Sequence, residues 1–229
     1  MTARPEPTNR TIRCRPAVPS PTPGPYPSGP GPGDPSTILW AYHSHTHEWR
    51  DVNAGLIGPI IIGRRGAFGP DGTPHDVDRE FVTLFGVFDE NESRYTPDNL
   101  RTYTGDTLRT NDRGQILFPP AGMTTINGLT FGTLPVESLT MRLGERVRWY
   151  LFGATTANDF HSPHWHGGTV LIDQKRTDLV NLAVPLMMVT ADMVADAPGI
   201  WMFHCHVAEH MASGMTSRFQ ILDEAPSTP

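Results

Sequence analysis

The sequence predicts an all-β chain: a complete Greek-key β-sandwich over residues 121–229, preceded by a partial β unit over 36–100, a linker over 101–120 and a Pro/Gly-rich head over 1–35. Three observations carry this reading. Apolar runs of strand length recur between Gly, Pro and Asp punctuation. In the second half they are spaced as in a Greek-key sandwich. No apolar run reaches the ~18 residues of a membrane span, since the best candidate, 182–201, is interrupted by Pro185, Asp192, Asp196 and Pro198.

The head comes first. Eleven of the 23 prolines and four of the 22 glycines fall within residues 1–35, a composition that can neither pair strands nor hold a helix and reads as disordered. From Ile38 the character changes, and the runs 38–42, 56–62 and 81–88 are strands of the first unit. Residues 89–120, with Asn91, Pro97-Asp98, Gly105-Asp106, Asn111-Asp112 and Gly114, are polar and turn-rich and suit a surface linker. The second unit follows with runs at 123–129, 138–143, 146–152, 169–172, 184–189, 199–203 and 215–222. The first unit is too short to close a sandwich, so its missing half is expected from another chain, or was lost through truncation or a mistaken start.

With 18 Lys+Arg against 24 Asp+Glu the formal charge is -6, and no basic stripe is offered to nucleic acid. The first ten residues lack the apolar centre of a secretory signal, so the compartment stays open. Two cysteines in different surroundings, Cys14 and Cys205, do not make a disulfide framework. The informative residue is histidine: of the ten, eight fall in three short clusters.

The first cluster is His204-Cys205-His206, with His210 and Met215 downstream. On a strand, His204 and His206 face one way and Cys205 the other, so one segment serves two sites. Cys205, His210 and Met215 with one more imidazole make a thiolate, two imidazoles and a weak thioether, the blue-copper ligand set. The second cluster, His161-Ser162-Pro163-His164-Trp165-His166-Gly167, places His164 and His166 on one face, while Pro163 breaks regular pairing and frees His161 to turn toward Cys205. Gly167-Gly168 leaves room for a metal or for backbone. The third, Tyr42-His43-Ser44-His45-Thr46-His47, puts His43 and His45 on one face, and His47 too if the strand continues. Alone, such a pair equally describes a zinc site or a solvated edge; the set as a whole disfavours zinc, because imidazoles exceed what a tetrahedral site needs.

These residues resemble the multicopper oxidases, a family that includes laccases, ceruloplasmin-like ferroxidases and two-domain laccases. The likeness runs from Gly31 to Leu222 and rests on W-x-Y-H-S-H ending at His45, H-x-x-H-x-H-G from His161 and H-C-H-x3-H-x4-M from His204. The strings at 55–60, 126–128 and 149–153 are closest to the ceruloplasmin-like branch. The resemblance implies cupredoxin-like domains. It implies a type 1 copper on His161, Cys205, His210 and Met215, a type 2 copper on His164, and a type 3 pair on His43, His45, His166, His204 and His206. It further implies one-electron oxidation of a small donor at the type 1 copper, transfer through Cys205 to His204 and His206, and reduction of dioxygen to water. A homotrimer, sharing the cluster between subunits, is the assembly it suggests.

One motif of that family is missing here. An H-x-H-G segment upstream of His43 is expected to supply two further imidazoles, and the sequence before His43 holds no histidine. Neither His47 nor His75 is expected to substitute. Glu209 and Asp159, beside ligands, could assist ferrous iron, but Pro119 and Thr124 stand where the ferroxidase branch often has Glu and His, so phenol-like donors stay equally open. The competing expectations are a mononuclear blue-copper electron carrier and an inactive remnant; a nitrite reductase is disfavoured by the histidines on both sides of Cys205.

Overall fold

The computed structural model describes residues 29–105, 122–154 and 160–224. Most of the head, with Cys14, most of the linker, with Pro119, and Asp159 lie outside the described residues.

Twelve strands are described: β1 Thr37–His43, β2 Ile57–Gly63, β3 Arg79–Asp89, β4 Gly122–Ile126, β5 Thr140–Arg142, β6 Arg146–Ala154, β7 Pro163–Trp165, β8 Val170–Ile172, β9 Lys175–Thr177, β10 Met188–Val194, β11 Gly199–Cys205 and β12 Thr216–Leu222. Three short helices accompany them, α1 Glu48–Asn53, α2 Thr96–Tyr103 and α3 Ala208–Ala212. A six-stranded sheet in the order β4-β3-β6-β10-β8-β9 faces a four-stranded sheet in the order β5-β12-β11-β7, and β1-β2 form a separate hairpin.

The sandwich core lies between the two larger sheets. Phe81, Phe85, Val147, Trp149, Leu151 and Ala191 meet Met141, Trp165, Phe203, Cys205, Phe219 and Ile221 there. β12 shows the period of two that a one-sided strand requires: Ser217, Phe219 and Ile221 are buried, while Arg218 between them is exposed. β6 instead reads as a nearly continuous apolar run because both of its faces are covered. Its Val147, Trp149 and Leu151 enter the main core, and Tyr150 and Phe152 form a second layer with Leu39 and Ile61 of the hairpin.

Arg148, on that second face, is 1% exposed and binds Asp192 and Asp76 in fork geometry and the hydroxyls of Ser36 and Thr37. Thr37 also shares a 2.6 Å hydrogen bond with the Tyr150 hydroxyl. These buried polar contacts pin the start of β1 onto β6 and β10.

Three expectations are corrected. β3, assigned from sequence to the first unit, pairs in parallel with β6 from Arg79↔Val147 to Gly86↔Ala154, so hydrogen bonding crosses the boundary drawn between the units. The turn-rich stretch read as linker contains α2, which starts with Pro97 in its first turn, where the missing N–H costs nothing. The run at 184–189 is displaced: the strand is Met188–Val194, and its central Ala191 and Met193 face the core.

Candidate metal centre

The strand β11 divides its side chains as alternation demands. Phe203 and Cys205 point into the core, and His204 lies on the reverse face opposite His164 of β7. Of the residues just before Cys205, Phe203 is fully buried on the same face, and Met202 pairs with Arg218.

On the core side, His161, Cys205 and His210 are all buried, and their donor atoms lie within 4.8 Å of one another. The Cys205 Sγ is 3.6 Å from His210 Nδ1, and the His161 and His210 rings are 5.0 Å apart. His161 is placed by an antiparallel bridge to Leu182, and His210 by the short helix α3. Met215 is fully buried in the same core; its N–H donates to the His210 carbonyl, and its own carbonyl accepts from the Cys205 N–H. The Ser162 N–H donates to the Cys205 Sγ at 3.3 Å, a contact no motif announces. Gly153 is another: a methyl there would sit 3.3 Å from His161 Cδ2, so glycine leaves the ring its space.

On the reverse side, His164, His166 and His204 form a second donor group within 4.8 Å. His166 Nε2 is 3.0 Å from His204 Nε2. The outer nitrogens are fixed by backbone: His204 Nδ1 lies 2.8 Å from the Cys205 carbonyl and His164 Nδ1 2.9 Å from the Asp178 carbonyl. A carbonyl only accepts, so each Nδ1 carries the proton and each Nε2 presents a lone pair. Burial pushes the His204 pKa down, and the surrounding imidazoles reinforce this against the raising effect of its carbonyl contact. His206 is exposed, with its ring 5.1 Å from that of His164 and 5.7 Å from that of His204. Glu209 is exposed on α3.

The third cluster stands apart. β1 ends at His43, so His45 is not on the strand; the chain bends, with the Ser44 hydroxyl donating to Asp51 at 2.5 Å, and His47 precedes α1. The His43 and His45 rings are 4.4 Å apart, and His43 Nδ1 is 3.2 Å from Glu48. His43 borders a cleft of about 320 Å³ with Trp49, Ile57 and Leu186. Among the described residues neither histidine joins either donor group. The expectation for Gly167-Gly168 is also revised. Gly167, at φ +63, lies under the Trp201 indole, where a methyl would be 2.4 Å from ring carbons, so glycine there serves packing.

A thiolate with two buried imidazoles and a buried thioether nearby suits copper, and no carboxylate enters the group. The three-imidazole group suits copper or zinc.

Comparison with known proteins follows the same line. A family model described as multicopper oxidase matches residues 95–225. Mouse (Mus musculus) ceruloplasmin is 37% identical over 190 residues, covering 83% of this chain and 18% of that protein. Human (Homo sapiens) Ferroxidase HEPHL1 is 36% identical over 189 residues, covering 82% and 16%, and rat (Rattus norvegicus) hephaestin 38% over 193 residues, covering 82% and 16%. The chain thus spans less than a fifth of the length of these relatives. Among solved structures, the blue copper oxidase from Nitrosomonas europaea aligns with TM-score 0.55 at 20% identity, covering 82% of this chain and 57% of that one. A structure described as multicopper oxidase gives TM-score 0.54, also at 20% identity, with the same coverage. At that identity the likeness is one of fold, the cupredoxin-like β-sandwich.

Proposed function

The chain belongs to the multicopper oxidase family, and from that premise we propose that it couples one-electron oxidation of a small donor at the Cys205 group to reduction of dioxygen to water at the imidazole group. The observation that carries this reading is the division of β11: Cys205 belongs to one donor group and its chain neighbour His204 to the other. Copper bound at these groups would supply the one-electron redox chemistry.

The chain's own residues contribute in four ways. Full burial of His161, Cys205 and Met215 excludes water from the sulfur. The Ser162 N–H donates to that sulfur, stabilising its thiolate form and adjusting its affinity for electrons. The single peptide link between positions 204 and 205 is the shortest covalent route between the groups. The carbonyls of Cys205 and Asp178 hold His204 and His164 in the tautomer that aims Nε2 at the ligand position.

In the family's division of ligands, His161, Cys205, His210 and Met215 form the type 1 site, His164 contributes to type 2, and His43, His45, His166, His204 and His206 to type 3. Among the described residues His43 and His45 lie outside both groups, so their participation calls for a further domain or another copy, the trimeric arrangement being the one the resemblance suggests. The donor is a phenol-like compound or ferrous iron. Glu209, exposed one residue before His210, is the carboxylate available to a cation there.

The test is oxygen uptake by the copper-loaded full chain with a phenolic dye in one arm and a ferrous salt in the other. Uptake that follows copper content supports the reading; a fully copper-loaded, inert sample contradicts it. A second reading, a mononuclear blue-copper electron carrier, is favoured by one observation: the Cys205 group is assembled within one chain. It predicts a blue protein with a single copper and no oxygen uptake.

A further inference from the structure

The β1-β2 hairpin is apolar on both faces. Leu39 and Ile61 point inward and pack on Tyr150 and Phe152. Alternation sends the neighbouring side chains the other way, and the register sets them in rows: Ile38 with Ile62, Trp40 with Ile60, and Tyr42 with Gly58. Tyr42 lies directly over Gly58, where a methyl group would meet its ring and hydroxyl at 2.6–2.7 Å. Trp40 is 43% exposed, and Ile38, Tyr42, Ile60 and Ile62 are half-buried. A strand with one face on the core ordinarily carries polar residues on the other, and this hairpin does not.

The chain meets this outer face from its own N-terminal side. The Asp34 N–H donates to the Gly31 carbonyl at 3.1 Å, the hydrogen bond of a reverse turn, and the Gly31 N–H donates to the Asp34 carboxylate. The Arg64 guanidinium donates to the carbonyls of both residues and pins the turn beside the end of β2. The reversal brings Gly29 against the first row, its Cβ position 3.7 Å from Ile62 Cγ2. From Ile38 to Tyr42 the face is about 13 Å long. A polyproline II chain, at about 3.1 Å per residue, crosses it with about five residues, and 24–28 are the five that precede Gly29. The sequence there is Pro19-Ser20-Pro21-Thr22-Pro23-Gly24-Pro25-Tyr26-Pro27-Ser28. Alternating prolines suit neither strand nor helix but favour polyproline II, which docks on aromatic-lined surfaces with little entropy left to lose.

We propose that the Pro-rich segment 19–28 docks in polyproline II conformation on Trp40, Tyr42, Ile60 and Ile62, antiparallel to β1, supplying from within the chain the cover that the short first unit was expected to take from another. Tethering gives the segment an effective concentration in the mM range, so a contact too weak to hold separate molecules together is populated within one chain. The inference is independent of the oxidase reading.

Hydroxyl-radical footprinting followed by mass spectrometry tests it, because Trp49 on α1, 42% exposed, is an internal reference for Trp40. Relative to Trp49, Trp40 should be oxidised severalfold more slowly in the full chain than in a chain lacking residues 1–28. The full-length variant Pro25→Ala/Tyr26→Ser/Pro27→Ala should raise Trp40 oxidation in the same direction, and it carries the test if the shortened chain does not stay soluble. Light scattering accompanies each measurement. The inference is overturned if the Trp40/Trp49 ratio is the same with and without residues 1–28, or if the triple variant leaves it unchanged. A ratio that falls only as dimers form with rising concentration assigns the face to a second copy and overturns the inference equally.

Discussion

His204 hydrogen-bonds through Nδ1 to the carbonyl of Cys205 at 2.8 Å, so the residue that points its sulfur into the core also fixes the tautomer of the imidazole on the opposite face. The two donor groups are therefore coupled mechanically as well as covalently. Displacing the backbone at one is felt at the orientation of the other.

That coupling predicts the behaviour of Gly153. Gly153→Ala should push the His161 ring by a few tenths of an ångström without removing any donor. The copper-loaded variant is expected to keep its copper and to show an altered visible spectrum. An unchanged spectrum would mean the ring is not held as described.

Arg148 should contribute strongly to stability outside the metal groups. Its guanidinium is 1% exposed, but the Asp76 and Asp192 side chains are 42% and 37% exposed, so solvent screens part of the interaction. Arg148→Met is expected to cost about 2–4 kcal/mol, somewhat below the loss of a fully buried pair. Chemical denaturation of the metal-free protein measures this, and a change under ~0.5 kcal/mol would contradict it.

Acid stability follows from two carboxylates. Burial alone would raise Asp76, but hydrogen bonds from Arg148 and Ser36 and the guanidinium charge outweigh it and hold its pKa below the usual range. Glu145 behaves alike, burial being outweighed by Arg79 and the Arg142 N–H. Because the folded values are depressed, the unfolded chain binds more protons, and stability rises with pH through this window. The contribution is complete above the unfolded-state range near pH ~4 and is lost as pH falls through the folded values. Melting temperature followed downward from neutral pH should fall more steeply below pH ~4 in the parent than in Asp76→Asn. Parallel curves would count against the assignment.

The aromatic core between the groups is the third stabilising element. The Trp149 ring packs at a tilt against Phe81 at 4.9 Å and Phe203 at 5.1 Å, and edge to face with Trp165 at 5.4 Å. Trp149→Ala should cost about 3–5 kcal/mol. Since Phe203 and Trp165 each adjoin ligand residues, it should also broaden the spectroscopic signature of bound copper.

Much of this could be read in the chain itself. The H-C-H string identified both faces of β11, because alternation on a strand is fixed by backbone geometry. The spacing around Pro163 pointed His161 to the thiolate, where the structure places it. The local cues failed where tertiary contact decides. α2 is a short helix on the surface, with Leu100 and Tyr103 as its apolar residues, too few to reveal it. β3 joins β6 in parallel across some 60 residues of sequence, and no turn signal marks such a pairing. The carbonyls of Asp178 and Cys205 are backbone groups that every residue carries, so their roles leave no trace in side-chain pattern. His45 was expected on a strand, but the Ser44–Asp51 hydrogen bond holds the chain in a bend there.

The most direct test is to load the full chain with copper and compare it with Cys205→Ser by visible absorption and electron paramagnetic resonance. Intense blue absorption from thiolate-to-copper charge transfer is expected in the parent, and its loss, with imidazole-bound copper still present, in Cys205→Ser. A parent without the thiolate band, or a variant that retains it, would contradict the account.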